Sequence, residues 1–179
     1  DGFRHPRLSG VKGRGNVVTE TDLAVEARIQ AILEAAFPEH AILSEETRSG
    51  TDPAGWVWVV DPIDGTKNFS AGIPFFCTNL ALCKDGVPQL ALTYDPVRRE
   101  EFLAVRGRGL TVNRRPAHAS VRSTVLESVL GMDAGFDDAR GARIFETMVR
   151  IWPGVQAIRI PGSAALGIAM QNAAQLAMF

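Results

Sequence analysis

The chain has 179 residues, of which 46% are hydrophobic and 22% charged, a balance typical of a folded soluble domain with a substantial core. Nineteen basic and twenty acidic residues leave a formal charge of −1, so the charge gives no sign of a nucleic-acid or membrane partner. The longest apolar runs, such as 56–60, are too short to cross a bilayer, and we expect no secretory signal segment.

Cys77 and Cys83 are the two cysteines, and both fall in one apolar run that favours a β-strand. Six residues of continuous strand would separate them by about 20 Å, which is too far for a disulfide. We therefore expect free thiols in the core and a cytoplasmic location.

The N-terminal part of the chain predicts one helix. Residues 1–10 carry no regular pattern, and the glycine-rich run 10–15 predicts a flexible loop. Thr19 is a candidate helix N-cap, with Asp22 three residues later as an acidic partner in a capping box. The apolar stripe of the predicted helix, which we expect to end at Pro38, is Val25, Ile29, Ile32, Leu33, Ala36 and Phe37.

The middle of the chain is rich in short β-type runs. Most of the connections between them are too short for a parallel crossover, so we expect an antiparallel meander. The run 56–60 is apolar throughout, which predicts a buried strand. The predicted strands are 41–43, 56–60, 75–83, 87–94, 100–105 and 110–112.

After about residue 120 the pattern changes to strand, helix, strand, helix, which favours parallel pairing and a second subdomain. The predicted elements are a strand at 126–132, a helix at 137–150, a strand at 155–160 and a helix at 162–178. We therefore predict an α+β unit with an antiparallel sheet in residues 1–120 and a smaller α/β unit in residues 121–179.

A hexapeptide rich in acidic and turn-forming residues directly follows the run 56–60, and it reads Asp61-Pro62-Ile63-Asp64-Gly65-Thr66. Pro62 removes a backbone donor and fixes φ, so we expect the strand to end there. The turn can aim two carboxylates and the Ile63 carbonyl into one volume, while the amides of Gly65 and Thr66 face an anion. Such donors suit a magnesium ion shared with a phosphate, although a solvated turn is the alternative interpretation.

Two acidic clusters lie upstream of the hexapeptide. Glu45 and Glu46 add a pair of carboxylates, and residues 19–22 combine hydroxyl and carboxylate groups at the predicted helix start. Asp22 by itself is explained better as a helix cap that complements the helix dipole than as a site residue, although both roles can hold together.

These motifs resemble the signature blocks of the inositol monophosphatase family. The blocks are Val18-Thr19-Glu20-Thr21-Asp22, Ser44-Glu45-Glu46-Thr47, Asp61-Pro62-Ile63-Asp64-Gly65-Thr66-Lys67-Asn68-Phe69 and Gly162-Ser163-Ala164-Ala165. The third block is highly specific, whereas the fourth alone is weak. The resemblance implies alternating αβαβα layers and a magnesium-dependent, lithium-sensitive hydrolase of phosphate monoesters, usually a homodimer.

The resemblance also implies a role for each matching residue. The implied metal ligands are Glu45, Asp61, the Ile63 carbonyl and Asp64, which would hold two or three Mg²⁺ ions. The implied catalytic pair is Asp22 and Thr66, which would orient the attacking water. The amides of Gly65 and Thr66 would hold the phosphate, and Gly162, Ser163 and Ala164 would lie on the substrate side. Mn²⁺ is the implied substitute, and Ca²⁺ or Li⁺ are the implied inhibitors.

The chain departs from the family pattern near both ends. Relatives take another aspartate for the second metal from a downstream Trp-Asp block, whereas Glu146 is the last acidic residue here. The helix that relatives place before the first block is also mostly absent. A fragment of a longer protein is the favoured interpretation, and a natural deletion is the other. We expect the chain as given to bind the first metal and to turn over poorly or not at all.

Two other functional classes stay open at this point. A haloacid-dehalogenase-type phosphatase also ends a buried strand in two aspartates, but its spacing is two residues and not the three found between Asp61 and Asp64. A catalytically inactive binding or regulatory protein on the same fold is the alternative outside enzymes. Within the family, an inositol or sugar phosphate is favoured over histidinol phosphate, fructose bisphosphate or adenosine bisphosphate.

Overall fold

A computed structural model describes residues 2–13, 16–46, 54–119, 124–135 and 137–172. Within these ranges, no helix combines the length and the hydropathy that a membrane span requires. Both cysteines are free thiols, as expected, with Cys77 buried and Cys83 partly buried.

The chain begins with a β-hairpin that the sequence did not predict. Strand β1 (Leu8–Gly13) pairs antiparallel with β2 (Asn16–Thr19), with two register irregularities. The expectations of an irregular segment at 1–10 and a loop at 10–15 were therefore wrong for residues 8–13, while residues 14 and 15 lie outside the described part. The glycines of β1 give a weak strand signal, and pairing with β2 supplies the backbone hydrogen bonds instead.

Helix α1 (Glu20–Ala36) begins and ends as predicted. The Thr19 side chain accepts from the Asp22 amide, and the Asp22 carboxylate accepts from the Thr19 amide, which completes the capping box. Of the predicted apolar stripe, Leu33 is buried, whereas Ile32 and Phe37 are exposed. The buried face of α1 instead carries two carboxylates, those of Asp22 and Glu26.

Seven strands form the main sheet in sequence order, so the predicted meander is confirmed. The first two strands pair parallel, and every later pair is antiparallel. The strands are β3 (Ala41–Ser44), β4 (Trp56–Asp64), β5 (Cys77–Lys84), β6 (Val87–Asp95), β7 (Glu100–Val105), β8 (Gly109–Val112) and β9 (Arg115–Ala117).

Strand β4 does not end at Pro62, contrary to expectation, but continues to Asp64. Its pairing with β5 joins Asp61 to Asn79 and then Asp64 to Cys77, so β4 has one extra residue there. A β-bulge of this kind tolerates proline because the missing N–H is not needed in the ladder. Helix α2 (Thr66–Ser70) then begins after Gly65.

Helices cover both faces of the main sheet. On one face, Leu33 of α1 packs against Trp58 and Val60 of β4. On the other face, Leu166 of helix α4 (Ala164–Asn172) packs against Cys77 and Phe102. The side chains of a strand alternate between faces, so Asp61 projects to the α4 side. The predicted layered α/β fold class is confirmed.

The C-terminal part contains a second, parallel sheet, as predicted. Strands β10 (Val129–Gly131) and β11 (Ala157–Arg159) pair parallel, and helix α3 (Asp138–Ile151) connects them with Asp137 as its N-cap. Strand β10 is shorter than expected because a 3₁₀ turn occupies residues 125–127, and β11 covers only the middle of the predicted strand 155–160. Residues 173–178 of the predicted last helix lie outside the described part. The domain boundary at residue 120 stays a proposal.

Candidate metal and phosphate site

Gly65 allows the chain to turn sharply between β4 and α2. Its φ of +96° lies in the left-handed region. A Cβ at this position would come within 3.0 Å of the Ser163 Cβ and 3.1 Å of the Gly162 carbonyl oxygen. The hexapeptide therefore packs directly against the segment that precedes α4, and glycine is needed for both the turn and the contact.

Asp61 is a site residue whose side chain has incomplete hydrogen bonding. Its Oδ1 is buried and has no hydrogen-bond partner. Burial, followed by the nearby carboxylates of Glu45 and Asp64, raises the pKa of Asp61 to about 8, although a hydrogen bond from Asn79 acts in the opposite direction. A buried carboxylate oxygen without a donor is costly, and a cation beside it would remove that cost.

Glu45 reaches this position because β3 ends beside β4. The pairing of β3 with β4 places Ser44 opposite Val60, and the Glu45 amide donates to the Val60 carbonyl at 3.1 Å. The carboxylate of Glu45 lies beside that of Asp61 and contributes to its raised pKa. The structure thus brings together two carboxylates that are 16 residues apart in sequence.

Asp64 is held by the N-terminal end of α4. Its Oδ2 accepts from the Ser163 hydroxyl at 2.5 Å and from the Ala165 amide at 2.9 Å, and the Cys77 thiol lies 3.8 Å away. Asp64 therefore caps α4 from a distant part of the chain. Burial and then the charge of Asp64 raise the pKa of the Cys77 thiol to about 12, so this thiol stays protonated at neutral pH.

Thr66 and Asp22 lie together, in the relation that the sequence interpretation required. The Thr66 Oγ1 is 3.2 Å from Asp22 Oδ1 and 2.9 Å from the Ile63 carbonyl oxygen. The other oxygen of Asp22 accepts from the Thr19 amide and hydroxyl. Asp22, which is 1% exposed, is therefore a helix-capping residue and a partner of Thr66 at the same time.

A cleft of about 590 Å³ opens over this region. All four predicted metal-binding residues line it, together with Gly65, Thr66, Gly162 and Ala164. Asp22 and Ser163 are buried behind its wall. The lining residues without a predicted site role are Val17, Lys67, Asp133, Ala134, Gly135 and Ile160.

Asp133 and Ile160 enter the cleft because they follow β10 and β11. Binding sites of α/β proteins commonly lie at the carboxyl ends of parallel strands. The parallel pairing predicted for this region contains that signal, but no motif in the sequence distinguishes Asp133. Asp133 is exposed, and its Oδ1 accepts from the Gly135 amide at 2.7 Å.

A divalent cation fits the donor set, although the ligands are not fully assembled. Across the described ranges, no three Asp, Glu, His or Cys side chains meet in a geometry ready to hold a metal. Asp64 directs Oδ2 at Ser163 and Ala165. However, the unpartnered oxygen of Asp61 and the carboxylate of Glu45 beside it supply hard donors of the kind that Mg²⁺ prefers.

A model of the inositol monophosphatase family matches residues 3–179. The chain belongs to the inositol monophosphatase family. This membership confirms the resemblance noted from the motifs and removes the haloacid-dehalogenase alternative, which requires a different family and a different aspartate spacing.

Individual members of the family resemble the chain over nearly its whole length. Inositol monophosphatase 1 of Solanum lycopersicum is 33% identical, and the match covers 99% of this chain and 67% of that protein. Nus factor SuhB of Pseudomonas aeruginosa is 38% identical, with 88% and 60% covered. The solved structure of extragenic suppressor protein suhB from Bartonella henselae superposes with a TM-score of 0.89 at 30% identity, covering 97% of this chain and 67% of that one.

The chain thus spans between 60% and 67% of the length of these three relatives. The matched part includes all four signature blocks of the inositol monophosphatase family, because the family model covers residues 3–179. The comparison therefore establishes the family and the fold of the site region. What the whole protein acts on is a separate question.

Proposed function

We propose that the chain contains the metal- and phosphate-binding half of a magnesium-dependent phosphatase that hydrolyses phosphate monoesters. The observation that carries this proposal is the buried Asp61 Oδ1, which has no hydrogen-bond partner and lies in a carboxylate-lined cleft. An ordinary solvated turn would leave this oxygen in water. Here the oxygen is removed from water and has no donor, and a bound cation would supply the missing partner.

Glu45, Asp61 and the Ile63 carbonyl would hold the first Mg²⁺, with Asp61 and Asp64 contributing to a second. When bound, Mg²⁺ acidifies water and offsets the negative charge of a phosphoryl group. Mn²⁺ is the proposed substitute, and Ca²⁺ and Li⁺ are proposed inhibitors. These assignments use only residues that line the same cleft.

Thr66 and Asp22 would orient the attacking water. The Thr66 hydroxyl carries one proton and lies near two acceptors, Asp22 Oδ1 and the Ile63 carbonyl oxygen. Donation to either acceptor leaves a lone pair of Oγ1 available to a water molecule in the cleft. Asp22 is fixed by the capping box and therefore holds the hydroxyl in one direction.

The amides of Gly65 and Thr66 would bind the phosphate oxygens. Gly65 has no side chain to separate its backbone from a ligand, and its left-handed φ turns the chain at this point. Lys67 lines the same cleft and adds a positive charge for an anionic substrate. Gly162 and Ala164 would contact the rest of the substrate.

The proposed substrate class is an inositol or sugar phosphate monoester. The relative from Solanum lycopersicum, whose match covers 99% of this chain, is named an inositol monophosphatase. Histidinol phosphate, fructose bisphosphate and adenosine bisphosphate are the alternatives that a substrate panel would separate. A cytoplasmic location and a homodimer belong to the same proposal.

Phosphate release tests the proposed function directly. The 179-residue chain is assayed with inositol 1-phosphate and the alternative monoesters, with and without Mg²⁺, alongside the Asp64→Asn variant. Magnesium-dependent release that the substitution abolishes would support the proposal. Calorimetry with Mg²⁺ alone accompanies the assay, and a chain that neither binds Mg²⁺ nor releases phosphate would contradict it.

A binding role without catalysis is the second candidate. It is favoured by the absence, within the described ranges, of three side chains assembled around a metal. One relative, which is 38% identical, is named Nus factor SuhB, and that name states no catalytic activity. Binding of Mg²⁺ and of a phosphate monoester, with no phosphate released over hours, would favour this candidate over the first.

A further inference from the structure

Helix α1 buries two carboxylates on one face. Asp22 and Glu26 are one helical turn apart, and they are 1% and 2% exposed. Glutamate is rarely this deeply buried unless its carboxylate has partners, because removing the charge from water is costly. The proposed catalytic pair accounts for Asp22 and gives Glu26 no role.

Glu26 contacts the segment that carries Glu45. Its Oε2 accepts from the Glu46 amide at 3.1 Å, a contact between residues 20 positions apart. Its Oε1 lies 3.4 Å from the side-chain amide of Gln30, one turn further along α1. The Glu26 carboxylate is therefore directed from the helix to the backbone just after β3.

Glu45 lies between two anchored amides. Its own amide donates to the Val60 carbonyl of β4, and the next amide, that of Glu46, donates to Glu26. Two consecutive anchors, one to β4 and one to α1, fix the backbone from which the Glu45 side chain projects. Removing the Glu26 acceptor would take away one of these two anchors.

We propose that Glu26 is a positioning residue that sets the place of the Glu45 carboxylate in the cation site. This inference rests on the proposed function, in which Glu45 is a metal ligand. Asp22 and Glu26 then divide the work of one helix face. Asp22 holds Thr66, and Glu26 holds the segment that carries Glu45.

The role requires an acceptor at this position but no charge. A glutamine side chain keeps an acceptor oxygen at the same distance along the chain, whereas methionine has similar length without a carbonyl or carboxylate oxygen. The pair Glu26→Gln and Glu26→Met therefore separates positioning from direct contact with the cation. Glu34→Gln, on an exposed position of the same helix, is the matched control.

The experiment is calorimetric titration of the 179-residue chain and its variants with Mg²⁺, with thermal melting to verify folding. We expect Glu26→Met to weaken Mg²⁺ affinity by about 10- to 100-fold, the usual loss when a group supporting a ligand is removed. Glu26→Gln and Glu34→Gln are expected to bind nearly as tightly as the unmodified chain. Glu26→Ala replaces Glu26→Met if the latter does not fold.

Three other results of the titration are distinguishable, and each contradicts a different statement. If Glu26→Gln binds Mg²⁺ as poorly as Glu26→Met, the charge of Glu26 acts on the cation directly and the positioning role is wrong. If Glu26→Met folds and binds normally, Glu26 has no role at the site. If the unmodified chain binds no Mg²⁺, the proposed function itself fails, a result distinct from the other two.

Discussion

The Ser163 hydroxyl lies 2.5 Å from Oδ2 of Asp64, although the two residues are 99 positions apart. Ser163 is 1% exposed, so its side chain faces the carboxylate and not the cleft. The Ala165 amide donates to the same oxygen at 2.9 Å. One carboxylate thus belongs to the proposed metal site and also caps the helix that covers the sheet. The substrate contact proposed for Ser163 would have to use its backbone.

Replacing Ser163 with alanine tests this link between the site and α4. The substitution removes a donor to a partly buried carboxylate, and a hydrogen bond to a charged group contributes about 1.5–3 kcal/mol. We expect the free energy of unfolding of Ser163→Ala to fall by about that amount in urea titrations at pH 7. Ser70→Ala is the control, because the Ser70 hydroxyl bonds the Lys67 carbonyl at the exposed surface. Equal losses in the two variants would show that Asp64 gains nothing special from Ser163.

A comparison of alanine substitutions at Gly65 and Gly72 tests how tightly the hexapeptide packs against its neighbours. Both have left-handed φ values, +96° and +73°, but only Gly65 has neighbours within 4 Å of an added Cβ. Gly72→Ala should cost about 1–2 kcal/mol, the backbone strain alone. Gly65→Ala should cost at least about 3 kcal/mol, because two backbone carbonyl oxygens would lie near the new methyl group.

Urea unfolding of both variants measures the difference. A Gly65→Ala variant as stable as Gly72→Ala would mean that the segment before α4 can move away from the hexapeptide. The close approach of that segment to the phosphate-binding backbone would then not be a fixed feature of the site.

Local signals explain the parts of the fold that the sequence predicted. The helix start at Thr19 depends on two hydrogen bonds within four residues, and the meander depends on short connections. The grouping of possible ligands in the hexapeptide was also predictable, because Asp61, Asp64 and Gly65 lie within one short segment of the chain. Each of these features is decided by neighbours in sequence.

The features that were missed depend on distant pairing or on a residue that is unusual for its local structure. Strand β9 follows a two-residue turn at Asn113 and Arg114, and an arginine with φ of +65° is an unusual residue for such a turn. Proline at position 62 predicts the end of a strand, and only the pairing of β4 with β5 shows that it lies in a bulge. Two further contacts depend on tertiary packing, so no local pattern predicts them. Glu26 accepts from the Glu46 amide, and Ser163 donates to Asp64.

Asp61 should make Mg²⁺ binding depend on pH. In the metal-free chain its pKa is raised to about 8, mainly by burial, so below this pH a cation must displace a proton. Apparent Mg²⁺ affinity should therefore rise by up to about tenfold per pH unit towards pH 8 and level off above it. Calorimetry between pH 6 and pH 9 in buffers of different ionisation enthalpy would measure both the affinity and the released proton. A flat profile would mean that Asp61 is already ionised.

The same raised pKa predicts the stability of the metal-free chain. A carboxyl group whose folded pKa exceeds its unfolded value favours folding when protonated, so its contribution is fully present below pH 4 and is lost as pH rises through 8. Asp61→Asn should therefore raise the melting temperature at pH 9 without Mg²⁺ and remove the stabilisation that Mg²⁺ gives. A variant that melts lower than the unmodified chain at pH 9 would contradict the raised pKa.

Two substitutions of Thr66 distinguish the role of its hydroxyl group from the packing of its methyl group. Its Oγ1 lies between Asp22 Oδ1 and the Ile63 carbonyl oxygen, so Thr66→Ala removes the group proposed to orient water, while Thr66→Ser keeps it. Provided that the chain releases phosphate with Mg²⁺, Thr66→Ala should lower kcat by about 10²–10⁴-fold with little change in Mg²⁺ affinity. Thr66→Ser should retain most of the rate. Thr147→Ala, which removes an exposed hydroxyl on α3, is the control.

If Thr66→Ala and Thr66→Ser lose the same activity, the threonine methyl group matters and the hydroxyl does not. The water-orienting role of the Asp22–Thr66 pair would then have to be abandoned, even though its hydrogen bond exists.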